Sequence, residues 1–261
     1  MTMNKITILL LMLVSIPTTA EASTVEAFNN ASERNSSLLI KDEKYQEAIT
    51  LLLPLSQSGD AESQTQLGSL YENGLGVPLD MTMAIRWYQT AAEQNYPRAQ
   101  VNLGVLYQYG TGVNKDLSRA IYWFKKAVVQ NDPRGEGKLG YLYIVGEGVE
   151  KNHQEGMWLL ESSAAGGYAE AQFNLAMLLR RDDNKDADYM RSIALLQRSA
   201  DQKHPPAMNV VALLHLTGEL HQDLPLSYRL LHHAAALGFE PAQVNLSKLC
   251  HESPEVCKVP E

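Results

Sequence analysis

Apolar positions recur along this chain at helical spacing, and the helical segments themselves recur. From Leu67 the order runs Leu67, Leu70 and Tyr71, then glycines at Gly74 and Gly76, then Ala84, Trp87, Tyr88 and Ala91. Steps of three and four place one apolar stripe on each of two helices. Asp80 stands just before the second stripe, where a short side-chain acceptor satisfies the free N–H groups of a helix start. The pattern predicts a helix (A), a glycine turn and a second helix (B).

That unit repeats. Leu67-Gly68-Ser69-Leu70-Tyr71, Leu103-Gly104-Val105-Leu106-Tyr107 and Leu139-Gly140-Tyr141-Leu142-Tyr143 follow one another at an offset of 36, with weaker echoes at Leu175 and Val211. A second marker, Ala99-Gln100, Gly135-Glu136, Ala171-Gln172 and Ala207-Met208, keeps the same step before Ala242-Gln243 loses one residue. Repeats are therefore expected at about 63–98, 99–134, 135–170, 171–206 and 207–241, between half-repeats at 41–60 and 242–261. The glycine pairs are not a phosphate loop, because no Lys-Ser/Thr follows and a helix rather than a strand precedes them.

Gly68, Gly104 and Gly140 fall on helix A faces, where a missing Cβ lets helix B approach. A mid-helix glycine costs about 1 kcal/mol against alanine, so close packing must contribute more. Trp87 and Trp123 are expected to fill the space between successive hairpins. Helix pairs stacked at constant offset wind into a superhelix. The expected fold is all-α, a right-handed α-solenoid of five to six helix pairs.

The residues from Leu67 to Ala92 read LGxxYxxGxGVxxDxxxAxxWYxxAA. This resembles the Sel-one-like repeat, a relative of the tetratricopeptide repeat with a longer turn, and the resemblance covers about residues 41–250. Repeat three departs by placing Gly156 where Ala84 sits and its tryptophan, Trp158, one residue early. Repeat four has Arg180-Arg181-Asp182-Asp183-Asn184-Lys185-Asp186 in place of the glycine turn, and repeat five keeps only Gly218. The resemblance implies adaptor or regulatory work in the bacterial envelope, by binding a protein or peptide partner, in the envelope or towards a host. The alternative it implies is an envelope enzyme or a carbohydrate-binding subunit of an export machine.

The start of the chain reads as a processing signal. Lys5 precedes an apolar run from Ile6 to Ile16, and Ala20-Glu21-Ala22 supplies a small-x-small cleavage triplet. Residues 1–22 are expected to be a signal peptide, too short in its apolar part to span a bilayer. That places the mature chain in the periplasm or outside the cell, with no membrane span. Residues 23–40, rich in Asn and Ser, are expected to be poorly ordered, and 41–261 to form a single solenoid domain.

Composition narrows the chemistry. Lys and Arg number 22 against 30 Asp and Glu, a net charge of −8, which argues against nucleic acid as a partner. No GxSxG, SxxK, HExxH or Walker loop is present, so no catalytic residue and no cofactor is assigned. His215, His221, His232 and His233 cluster in repeat five, but adjacent helix positions such as 232 and 233 point about 100° apart. The run Asp182, Asn184, Asp186, Asp188 has Ala187 and Ile193 where a calcium loop needs glycine and glutamate. No metal site is assigned. Cys250 and Cys257 are expected to form a disulfide in an oxidising compartment.

The groove remains. Helix A lines the concave side of a tetratricopeptide-like superhelix, and stepping by 36 along its outward positions collects a candidate partner-binding set. Asn102, Lys138, Asn174 and Arg181 can hold a peptide backbone or carboxylate, and Val105, Tyr109, Tyr141 and Met177 can supply apolar contacts.

Overall fold

The computed structural model describes residues 35–180 and 186–258, and every regular element among them is a helix. A helical stretch α1 (35–41) leads into α2 (Tyr45–Gln57), α3 (Ala61–Asn73), α4 (Met81–Glu93), α5 (Pro97–Tyr109), α6 (Leu117–Val128) and α7 (Pro133–Val145). Then come α8 (His153–Ala165), α9 (Ala169–Leu179), α10 (Asp186–Asp201), α11 (Pro205–Thr217), α12 (Leu224–Ala236), α13 (Glu240–Glu252) and a 3₁₀ turn at Val256–Lys258. From α3 onward the odd helices are A and the even ones B. Each B helix packs against its own A helix and against the A helix of the next repeat. The result is an all-α solenoid.

Local chemistry sets the helix boundaries. Asp80 Oδ1 accepts from the Met83 N–H at 3.0 Å, Asp116 from Arg119 at 3.0 Å, Asn152 from Glu155 at 3.1 Å and Asp223 from Leu226 at 2.8 Å. Each satisfies an N–H that a helix start leaves free. Helices α3, α5 and α7 end on Gly74, Gly110 and Gly146 at φ of 63°, 74° and 77°, a region that glycine enters without penalty.

The glycines on the A faces mark where the aromatic core sits. A Cβ on Gly68 would stand 2.8 Å from the Tyr88 ring, and one on Gly104 would stand 2.5 Å from the Phe124 ring. Tyr88 and Phe124 are fully buried and fill the hairpins, while Trp123, expected between successive hairpins, packs partly buried against the cluster that α4 and α5 form. The reason is angular: neighbours on a helix diverge by about 100°, and the second aromatic of each pair is the one aimed at helix A. Both tryptophans are only half-buried.

Repeat three solves the same packing problem differently. Leu160 replaces the aromatic, and the two helices close in through glycine on both sides. A Cβ on Gly156 would lie 2.8 Å from the Gly140 carbonyl oxygen. Trp158, shifted by one residue, leaves the core and is 60% exposed. Repeats four and five pair Ala176 and Ala212 with Leu196 and Leu231, all buried in one cluster. The departures from the pattern are thus exchanges of volume between facing helices.

A consequence is that Gly156→Ala should destabilise the fold, although repeats one and two carry alanine there. Overpacking costs about 1–3 kcal/mol, and the better helix propensity of alanine returns up to about 1 kcal/mol. A net loss of about 1–2 kcal/mol is expected in urea unfolding. A variant as stable as the parent would show that α7 and α8 are not held at glycine distance.

Buried glutamines tie successive repeats together. Gln64, Gln100 and Gln172 donate through Nε2 to the carbonyls of Ser56, Ala92 and Ala164, at 2.9, 3.2 and 3.2 Å. Their Oε1 atoms accept from Gln94, Gln130 and Gln202 at 2.8, 2.9 and 2.9 Å. Each amide so buried is paired on both sides. Repeat three lacks this rung, having Glu136 and Gly166 at the two positions.

The ends differ from expectation at one point. The helical stretch α1 lies partly within the segment expected to be poorly ordered, because Leu39 and Ile40 pack on Ala48, Leu52 and Leu70. The expected signal peptide and residues 23–34 lie outside the described residues. At the other end Cys250 and Cys257 are bonded, with Cα atoms 5.6 Å apart, and the 3₁₀ turn packs against α12. No helix of the described residues is long and apolar enough to cross a membrane.

Candidate partner-binding face

Successive A helices touch one another, α3 with α5, α5 with α7, α7 with α9 and α11 with α13, whereas successive B helices lie farther apart. A stack with one side closer together curves towards that side, so the A helices form its inner face.

On this face the structure places Asn102, Val105 and Tyr109 on α5, Lys138 and Tyr141 on α7, and Asn174 and Met177 on α9. Tyr109 is 64% exposed, Tyr141 42% and Met177 37%. Arg181, and Asp182 and Asn184 of the calcium-loop-like run, lie outside the described residues. Asn102 and Val105 come together in a recess of about 330 Å³, lined also by Ile40, Gln66, Ser69 and Glu72. Its floor is Tyr88, whose ring passes the bare Gly68 and whose hydroxyl donates to Glu72 at 2.6 Å. Burial, then the Glu72 carboxylate, push the Tyr88 phenol far above its ordinary pKa.

Lys138 does not stand free. Its ammonium donates to both carboxylate oxygens of Glu170 on α9, at 2.9 and 2.8 Å, and the Tyr168 hydroxyl donates to the same group at 2.6 Å. Burial alone would raise the Glu170 carboxyl; the Lys138 charge and these hydrogen bonds outweigh it and hold the group below the usual carboxylate range. The Lys138 side chain is only 13% exposed. It is a strut between two A helices, because the following repeat presents a carboxylate within its reach. Nearby, His204 lies against the Phe173 ring, and burial pushes its imidazole below its ordinary pKa.

Two residues on this face escape the column reading. Arg98 and Arg134 occupy the second position of α5 and α7, one period apart, and both line the recess with Asn102. The signal was available in the repeat alignment, which places two arginines at equivalent positions of an acidic chain. In repeat five, the His215 ring nitrogen Nδ1 sits 2.6 Å from the His221 carbonyl oxygen, and His232 stacks on Tyr228. No three metal-ligating side chains converge among the described residues.

A family model, the Sel1 repeat, matches five consecutive segments, 61–96, 97–132, 133–168, 169–204 and 205–239. Among solved structures, a Sel1 repeat protein from Oxalobacter formigenes is similar at 28% identity, over 85% of this chain and 99% of that one, with a TM-score of 0.63. The immunity protein Pa5087 from Pseudomonas aeruginosa shares the fold at 19% identity, over 82% and 83% of the two chains, with a TM-score of 0.59. No curated protein sequence matches the chain.

Proposed function

This chain belongs to the Sel1 repeat family, and on that premise we propose that it is an exported interaction module holding a partner protein or peptide along its A-helix face. Sel1 repeats are protein-interaction scaffolds. The observation that carries the proposal is the set of exposed apolar side chains on three successive A helices, Tyr141 and Met177 one period apart and Tyr109 one helical turn beyond their column. Aromatic and methionine side chains left in water contribute little to this fold and are favoured at the centre of protein interfaces. The Cys250–Cys257 bond suits an oxidising compartment, in keeping with the signal-like start of the sequence. A scaffold that holds a partner along one face suits a regulatory or assembly-related role.

The immobilised chain should recover a discrete partner from an extracytoplasmic fraction. The triple variant Asn102→Ala/Tyr109→Ala/Tyr141→Ala should recover about tenfold less, equivalent to roughly 1.4 kcal/mol, with an unchanged circular dichroism spectrum. Equal recovery by both proteins would remove the A-helix face from the binding surface.

A further inference from the structure

The chain carries a net charge of −8, yet the recess on its inner face is walled by two arginines. Arg98 makes no ion pair among the described residues. Arg134 approaches only Asp132, at 3.6 Å. The same Asp132 oxygen already accepts from the backbone N–H groups of Arg134 and Gly135, at 2.9 and 3.1 Å, as the cap of α7. That carboxylate is shared between a helix start and a guanidinium, so the arginine charge is incompletely met.

The carboxylate that lines the recess, Glu72, and two that lie outside it on the A helices, Glu62 and Glu170, already accept hydrogen bonds. Glu72 takes the Tyr88 hydroxyl, Glu62 takes the Gln66 amide at 3.1 Å, and Glu170 takes Lys138 and Tyr168. Two cations with unspent donors therefore face one recess, beside the Asn102 amide and the apolar Ile40 and Val105. Both arginines also sit in the first turn of an A helix, where the backbone dipole favours an anion.

Resting on the reading of the A-helix face as the binding surface, we propose that this recess takes a carboxylate side chain of an extended acidic peptide segment of another protein. Arg98 and Arg134 hold the carboxylate through the planar fork of the guanidinium. Apolar side chains of the same peptide run on from Val105 to Tyr109 and Tyr141, which continue the face away from the recess. The net charge of −8 disfavours an acidic segment elsewhere on the chain, so the recess fixes where such a segment docks.

The test is affinity selection of short randomised peptides, displayed without a free C-terminus, on the full chain. The selected peptides should show an excess of Asp and Glu next to apolar residues. A synthetic copy of the most enriched should bind about tenfold or more weakly to Arg98→Glu and to Arg98→Ala/Arg134→Gln, both with unchanged circular dichroism. Its affinity should also fall as salt rises. Apolar peptides without an acidic excess, lost on Tyr141→Ala but kept on Arg98→Glu, would overturn this inference and leave the interaction face standing. Peptides indifferent to both variants would overturn both, and the absence of any enriched peptide would overturn the acidic-peptide assignment.

Discussion

Phe124→Ala should lower the stability of the folded chain by about 3–5 kcal/mol, the range for emptying a buried aromatic site. Phe124 is fully buried, and its ring occupies the volume that Gly104 leaves on the facing helix. It packs in one cluster with Ala120, Ala127, Leu139, Leu142 and Leu159, spanning repeats two and three. The facing position is Gly104, which has no side chain to move into the cavity. In a stack of near-neighbour units the damage stays local to repeat two and its interfaces, so unfolding should become less cooperative as well as earlier. Trp158→Ala is the matched control: a larger ring is removed from an exposed position, and a change within about 0.5 kcal/mol is expected. Urea unfolding of the two variants measures both, and a Phe124→Ala loss below about 1 kcal/mol would contradict the packing account.

The second large effect is expected at the C-terminus. Removing the Cys250–Cys257 bond with Cys257→Ser should cost about 2–2.5 kcal/mol on the chain-entropy treatment of a loop this short. The terminal unit has a single helix to bury, and α13 ends at Glu252 just before Pro254. Buried Val256 lies next to the bonded cysteine in a turn that rests on α12, so the bond holds an apolar plug against the last complete hairpin. Without it the plug and the end of α13 should fray. A thermal melt should move down by about 4–10 °C for a domain of this size, and a reductant should reproduce the shift in the parent chain. Two thiols reacting in the native protein, or an unmoved melting temperature, would refute the role assigned to the bond.

The repeat, its two helices and its caps were legible because they rest on periodicity and on short-range chemistry. Asp80, Asp116 and Asn152 cap where their spacing says they should. Which of two adjacent aromatics faces inward was not legible: Trp87 and Tyr88 are equally apolar in a stripe, and only the crossing of α3 and α4 decides. The exchange at Gly156 was visible as a departure but not as a compensation, since its meaning depends on Leu160 and Gly140 together. On the A-helix face, periodicity identified Tyr109, Tyr141 and Met177 as outward-facing, because outward columns follow from the helix period alone. It gave Lys138 the wrong freedom, because the engagement of a charge depends on what the next repeat presents, here Glu170 and Tyr168. Arg98 and Arg134 were hidden for a related reason: they lie in the first turn of the A helices, and a column drawn from the middle of the helix does not pass through them.

The claim on which the account rests is that partners are held on the A-helix face rather than on the outer B-helix surface. Site-specific photo-crosslinking tests it directly, with a photoreactive phenylalanine placed in turn at Tyr141 and, on the B helices, at Tyr122 and Trp158, which are 53% and 60% exposed. All three positions accept a bulky aromatic without disturbing the core. A covalent adduct to a partner is expected from position 141 and none from 122 or 158; adducts from the two outer positions alone would contradict binding on the A-helix face.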